Sequence, residues 1–344
     1  MKKSLFYIVI IIAVIALSVV FSKYQDYQDF KVEKIELKDE VVVNIEKGSS
    51  WKKVASDLKK AGLITDERSF YWMIKEFKWG GSLKTGEFAF SGRVSPIDVA
   101  NKIMSGKVRL YAFTIPEGYN KFDADTVFRS LDWVTGNDRF LKICDDKKFL
   151  ASIGAKGKRS CEGLLFPSTY SFPKNTDILT IMEKMSAQMK SVLAKYQKEL
   201  DDSKMDVYEL LKMASVIEKE TGVREEQPMI ASVFLNRQRI GMKIQSDPTV
   251  IYGMLPDNYK GNIRKQDLLN DHPWSTYTRY GLPVTPICFP GEGAIKSVLY
   301  PEKTSYLYFV ATGKGYHYFS KNLKEHNAAV EHYQVKGLKT EFKY

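Results

Sequence analysis

Two glutamates and one stretch of mixed polar residues are the parts of this chain whose types and spacing can do chemistry. The glutamates stand one residue apart in Ile217-Glu218-Lys219-Glu220-Thr221. A carboxyl held against apolar neighbours loses solvation of its charged form and keeps its proton toward neutral pH, which is what a general acid requires. The polar stretch is Ile244-Gln245-Ser246-Asp247-Pro248-Thr249. Its donors and acceptors suit the hydroxyl or acetamido groups of a sugar, and they equally suit a turn nucleated at Asp247-Pro248. His317, His326 and His332 offer a metal-dependent alternative, set against structural or surface roles. Four histidines in all, and no CxxC pair, argue against a metal centre, so no metal or other cofactor is expected.

The element that must position the glutamates is a helix opening at Asp206. Asp206 and Glu209 form an Asp variant of the capping box. Val207, Leu210, Leu211 and Ala214 then make an apolar stripe. At about 100° per residue, Glu218 falls at about +20° from Val207, inside the stripe, and Glu220 at about −140°. Glu218 is therefore expected to point inward near the helix end at Gly222, and Glu220 to face water. A buried ion pair at the helix end is the structural alternative for Glu218. Upstream, a helix is expected from about residue 177 to 200, with Ile178, Ile181, Met182, Met185, Met189, Val192 and Tyr196 on one face. That methionine stripe reads as core packing. Downstream, Glu225-Glu226-Gln227-Pro228 starts another helix, ended by Gly241.

The N-terminus sets the compartment. After Met1-Lys2-Lys3, residues 4–22 carry no charge, long enough to cross a bilayer core as a helix. A cleaved signal peptide is disfavoured by the end Val19-Val20-Phe21-Ser22, and a core helix by its uniformly apolar surface. The expected topology is one span, N-terminus in the cytoplasm and body outside the bacterial inner membrane, on the periplasmic side. Across 344 residues the net charge is +11. Export turns that excess away from nucleic acid toward an anionic wall or membrane surface. Of three cysteines, Cys144 and Cys161 are near enough in sequence to bridge and Cys288 is remote; the sequence leaves the pairing open.

The chain reads as an α+β protein in four parts: residues 1–22 a cytoplasmic tip and transmembrane helix, 23–39 a polar linker, 40–112 a small module, and 113–344 a larger mixed α+β catalytic domain. The module runs from the strand Val41-Val42-Val43-Asn44-Ile45 to a helix capped by Ser50 and a second opened by Asp66, then to the strand Gly86-Glu87-Phe88-Ala89-Phe90. A further helix starts at Ser95-Pro96, and the closing strand covers residues 108–115. Its βααβ order and its Gly-Ser-Ser-Trp-Lys-Lys-Val-Ala opening resemble a LysM-like module, which binds N-acetylglucosamine polymers. A spacer is the alternative. Exposed Trp and Tyr would favour sugar, because sugar faces stack on aromatic rings.

Several ordered blocks resemble the endolytic murein transglycosylase family, the MltG or YceG-like type. They are Glu162-Gly163-Leu164-Leu165-Phe166-Pro167, Ala214-Ser215-Val216-Ile217-Glu218-Lys219-Glu220-Thr221, and Ala231-Ser232-Val233-Phe234-Leu235-Asn236-Arg237. The segment from Gly241 to Gly253, Ser275-Thr276-Tyr277 with Gly281-Leu282-Pro283, the run Tyr306-Leu307-Tyr308-Phe309-Val310, and Gly315-Tyr316-His317 with Glu325-His326-Asn327 continue the match. The resemblance implies non-hydrolytic cleavage of the β-1,4 bond between N-acetylmuramic acid and N-acetylglucosamine within peptidoglycan strands. It implies 1,6-anhydro ends, termination of nascent strands, and Glu218 as the catalytic residue. Glu162, Gln245, Asp247 and Tyr277 are expected to contact substrate, and peptidoglycan synthases or division proteins are the implied neighbours. Hydrolysis by a muramidase, with Glu162 or Asp247 as second carboxylate, and a non-catalytic wall-binding scaffold are the alternatives. Departures from the family pattern stand at Ser275, Ser168, and Val284-Thr285, and none touches Glu218.

Overall fold

The computed structural model describes residues 2–340 and 342. The chain folds as two compact units, one of residues 1–111 with 171–174, the other of residues 112–170 with 175–344.

The first unit opens with helix α1 (Lys2–Val32), uniformly apolar over most of its length. The helix does not stop where the charges begin: residues expected to form a polar linker instead extend α1 to Val32 and begin strand β1 at Ile35. Backbone hydrogen bonding within a helix is indifferent to whether the outer face is charged; Phe30 enters the unit's core with Tyr27 packed against it, and Lys31 is buried in a pair with Glu76, which holds this last stretch helical. β1 (Ile35–Ile45) pairs antiparallel with β2 (Gly86–Val94), Val43 opposite Phe88, with an irregularity between Leu37 and Val41. Between them lie α2 (Trp51–Lys60) and α3 (Glu67–Glu76). Ser50 caps the first by accepting from Lys53 N, and Asp66 caps the second by accepting from Ser69 N at 2.7 Å. Trp51, Val54, Leu58, Phe70, Met73 and Ile74 fill the core, as their spacing requires. Helix α4 (Pro96–Ser105) carries the full capping box of Ser95 and Asp98. The strand–helix–helix–strand order is thus present, and the LysM-like identity expected for the module rests on that order alone.

The second unit is mainly helical. From strand β3 (Leu110–Thr114) the chain enters it through a turn and helix α5 (Lys121–Arg129). Expected as one long helix, residues 177–200 form α6 (Ile178–Ala194) and a separate short helix Gln197–Ser203. The methionines Met182, Met185 and Met189 are buried in its core. Next come α7 (Val207–Glu220), α8 (Gln227–Arg239) and α9 (Asp247–Met254), so that Asp247-Pro248 opens a helix rather than a turn. Pro fits there because the first helical N–H groups have no intrahelical partner. α10 (Glu292–Leu299) and the hairpin β4 (Tyr308–Ala311) with β5 (His317–Ser320) follow, and α11 (Leu323–Val330) lies near the C-terminal end. A disulfide joins Cys144 to Cys161, and Cys288 is buried and free.

α7 is the centre of this unit. From Leu210 to Ile217 every residue except Lys212 is buried, on every side of the helix. Asp206 caps it, accepting from Tyr208 N and Glu209 N at 2.9 and 3.3 Å. The reciprocal half of the expected capping box is replaced by a Glu209–Lys212 ion pair of 2.7 Å.

Candidate active site

The last turn of α7 delivers Glu218 to the wall of a cleft of about 580 Å³. One side of the cleft is the end of α7 from Glu218 to Gly222; the other is Glu117, Gly118 and Tyr119 with Asp123, Thr126 and Val127 of α5. The two walls are laced together by the chain before α10. Gly118 N donates to Phe289 O at 3.0 Å, Phe289 N donates to Tyr119 O at 2.7 Å, and Lys219 Nζ donates to Gly118 O at 3.2 Å. Gly118 has φ +79°, a conformation glycine adopts without strain.

Glu218 Oε2 accepts a hydrogen bond from Gly291 N at 3.0 Å. Its other oxygen has no protein partner among the described residues. Burial raises its pKa above the ordinary carboxylate value, and the negative charge of Glu117 adds to the rise. The Gly291 N–H, Arg224 and Lys219 oppose it without cancelling it. Glu117 is itself held by Arg224 at 2.6 Å. A Cβ at Gly291 would press on the end of the Glu117 side chain, so a larger residue there would push that carboxylate aside.

Glu220 does not face water. As a residue it is half-buried, but its carboxyl is desolvated, accepts a hydrogen bond from the Ser246 hydroxyl, and is pushed up to about 7. Burial is the larger cause, with Asp247 adding to it and Ser246 and Arg237 opposing. The helix-phase argument assumed that the face opposite the apolar stripe is solvated. For a helix packed all round, that face meets other protein, here the segment leading into α9.

Glu220 also lines a second cavity, of about 390 Å³, with Arg237, Gln245, Asp247, Tyr277 and His326 among its walls. Three of the expected substrate-contacting residues therefore meet one another here, and Glu220 is the residue common to this cavity and the cleft. Tyr277 donates to Asp247 Oδ1 at 2.5 Å. Burial and this carboxylate push the phenol's pKa up. Gln245 has φ +53°, a left-handed conformation unusual for a residue with a side chain.

Glu162 is in neither space. It is fully buried, accepting from Lys121 N at 2.9 Å and Tyr252 OH at 2.8 Å. Burial pushes its pKa up to about 8. Expected at the cleft surface, it instead lies behind it and pins the first residue of α5, whose next two turns line the cleft. The histidines have separate partners: His317 bonds Glu226 at 2.8 Å, His326 stacks on Tyr308, and His332 meets Thr340 O.

Sequence reasoning missed Glu117, Gly118 and Gly291. Ile115-Pro116-Glu117-Gly118-Tyr119 stands just inside the larger domain, and an acid beside a glycine there was the available signal. Nothing local marks Gly291, because its role is a backbone N–H presented to a carboxyl 73 residues earlier.

Comparison with known proteins finds similarity over most of the chain. The model of the YceG-like family matches residues 43–332. A protein of Bacillus subtilis named endolytic murein transglycosylase is 34% identical over 317 residues, covering 88% of this chain and 87% of its own. One of the same name from Streptococcus pneumoniae is 30% identical, covering 87% of this chain and 59% of its own. A crystal structure of a YceG-like protein from Listeria monocytogenes superposes with a TM-score of 0.57 at 33% identity, over 85% of this chain and 99% of that one.

Proposed function

Because the chain belongs to the YceG-like family, we propose that it is a membrane-anchored lytic transglycosylase of peptidoglycan, cutting the β-1,4 bond between N-acetylmuramic acid and N-acetylglucosamine within a strand. The observation that carries this reading is the desolvated Glu218 carboxyl on the cleft wall, with one oxygen fixed by Gly291 N and the other without a protein partner among the described residues. The names of the similar Bacillus and Streptococcus proteins support the substrate class.

Protonated Glu218 donates its proton to the glycosidic oxygen as the bond from that oxygen to muramic C1 breaks. The muramic 6-hydroxyl oxygen then bonds to C1, closing the 1,6-anhydro ring, and its proton passes to the Glu218 carboxylate. The acid is regenerated and no water enters. Because the nucleophile is part of the substrate, the enzyme need only hold one proton and one conformation. The Gly291 N–H steadies the carboxylate in the half of the cycle when it is charged, and the dry wall favours its return to the acid.

Glu220 supports a second reading. A carboxyl on the same cleft could activate water, as a muramidase needs, and it takes the place that Glu162 and Asp247 held as expected partners. Mass spectrometry of products from isolated glycan separates the two. Anhydro ends are expected, one water lighter than the reducing ends that hydrolysis leaves; reducing ends as the main product would overturn the lytic reading. Retained cleavage by Glu218→Gln would overturn the choice of residue. Glycan binding without turnover by the wild type would make the protein a wall-binding scaffold.

The exposed apolar surface of α1 from Phe6 to Phe21 supports a single membrane span, and Lys2 and Lys3 ahead of it support an N-terminus in the cytoplasm with the chain beyond the span outside. Cutting from that position would release nascent strands and end their elongation, beside the synthases that extend them.

A further inference from the structure

Helix α1 is exposed along its apolar run and becomes buried only beyond it, at Phe30 and Lys31. Lys31 pairs with Glu76 of α3 at 3.2 Å, and Tyr27 donates to the same carboxylate. The end of α1 is thereby fixed to α3. On its outer side α3 presents Arg68, Trp72 and Lys75, spaced four and three residues apart and all exposed, so they share one face. Trp72 is 64% exposed, an unusual state for the largest apolar side chain. The Lys75 ammonium lies 5.7 Å from its ring centre. Trp72 and Lys75 line an open hollow of about 690 Å³ together with Ser69 and Glu76 of α3 and Lys23 and Tyr27 of α1, the Glu76 charge being held by Lys31 and Tyr27.

The position of that hollow along α1 can be read from the helix rise. Lys23 is the first charge after the apolar run, so it marks where hydrocarbon ends. Tyr27, four residues on, stands about 6 Å further out. The headgroup layer on one side of a bilayer is about 5–8 Å thick. Trp72, flanking both residues, falls within it.

We propose that the outer face of α3 is a contact with the lipid headgroup layer, with the Trp72 indole lodged at the glycerol level and Arg68 and Lys75 on lipid phosphates. The proposal rests on α1 spanning the bilayer. An indole, apolar in body with one N–H to place, suits that layer, and cations beside it suit anionic headgroups. The other flank of α1 has the opposite character: Asp26, Asp29, Glu33 and Asp66 line a separate hollow with Lys23. An anionic surface repels that flank and attracts the α3 flank, which gives the first unit a preferred tilt on the membrane.

The test uses the full chain reconstituted in phosphatidylcholine–phosphatidylglycerol vesicles that carry bromine either near the glycerol or near the chain end. Tryptophan emission is compared between the wild type and Trp72→Phe, which removes one of five tryptophans. Glycerol-level bromine should quench the wild type more than chain-end bromine, and the excess should vanish in Trp72→Phe. Arg68→Gln with Lys75→Gln should lose the excess as well. Equal quenching of wild type and Trp72→Phe, in protein that resists alkaline extraction, would overturn the surface contact and leave the anchor standing. Release of the protein by alkaline extraction would overturn the anchor, and the contact with it.

Discussion

Replacing Glu218 with Gln removes one proton while preserving shape and the acceptor for Gly291 N, which makes it the sharpest perturbation of the cleft. General acid catalysis contributes about 10²–10⁴-fold, or about 2.7–5.4 kcal/mol of barrier. The upper part of that range is expected, because the carboxyls on the facing wall, Glu117 and Asp123, are committed. Glu117 is paired with Arg224 at 2.6 Å, and Asp123 accepts from Asn120 N at 3.0 Å. Glu220→Gln retains an acceptor for the Ser246 hydroxyl. With its pKa near 7, the carboxyl it replaces is only partly charged at neutral pH, so a loss below about tenfold, or about 1.4 kcal/mol, is expected. Both variants are assayed on isolated wall glycan across a pH series, counting new anhydro ends. Since Glu218 acts as the acid, activity is full below its folded pKa and is lost as pH rises through it. Burial places that fall above the ordinary carboxylate range. Equal losses in the two variants would refute the assignment of the acid, and a rate that does not change with pH would refute general acid catalysis.

Glu162 makes stability depend on pH. Its folded pKa of about 8 lies above an unfolded value of about 4.3, so between them the folded state holds a proton that the unfolded state has released. Unfolding free energy should therefore fall as pH rises across that window, by at most about 1.4 kcal/mol per unit. Glu162→Gln should flatten the dependence in thermal melts, and an unchanged slope would contradict it. Gly291→Pro keeps a φ near −75° while removing the N–H that Glu218 accepts, and its Cβ meets only the end of the Glu117 side chain; kcat should drop at least about tenfold, the worth of one hydrogen bond to a charged group, with wild-type kcat counting against the role. Replacing Cys144 and Cys161 together by Ala opens a loop of 17 residues' separation. That should lower unfolding free energy by about 3 kcal/mol in denaturant titration, and no change would mean that the bridge does not constrain the unfolded chain.

What the sequence determined by itself is what neighbouring residues settle among themselves. Ser50, Asp66, Ser95 and Asp206 cap helices because a short polar side chain can reach an N–H two or three residues on. Trp51, Val54 and Leu58 of α2, Phe70, Met73 and Ile74 of α3, and Met182, Met185 and Met189 of α6 are buried because their period matches the helix, whereas Phe77 and Tyr196, beyond the helix ends, are not. The ordered motifs carried the family resemblance, and the helix phase by itself placed Glu218 on an inward-leaning turn. Tertiary structure decided the rest, since each remaining feature depends on what the second wall is. Glu220 is desolvated because α7 is surrounded, and periodicity reports only which residues share a face, not whether the opposite face meets water. Glu162, polar and in a motif, is enclosed because its partners are a backbone N–H 41 residues earlier and a phenol 90 residues later. Gly291 meets Glu218 through a backbone group that every residue but proline possesses. A backbone donor leaves no signature in side-chain identity, so only the folded chain could assign it.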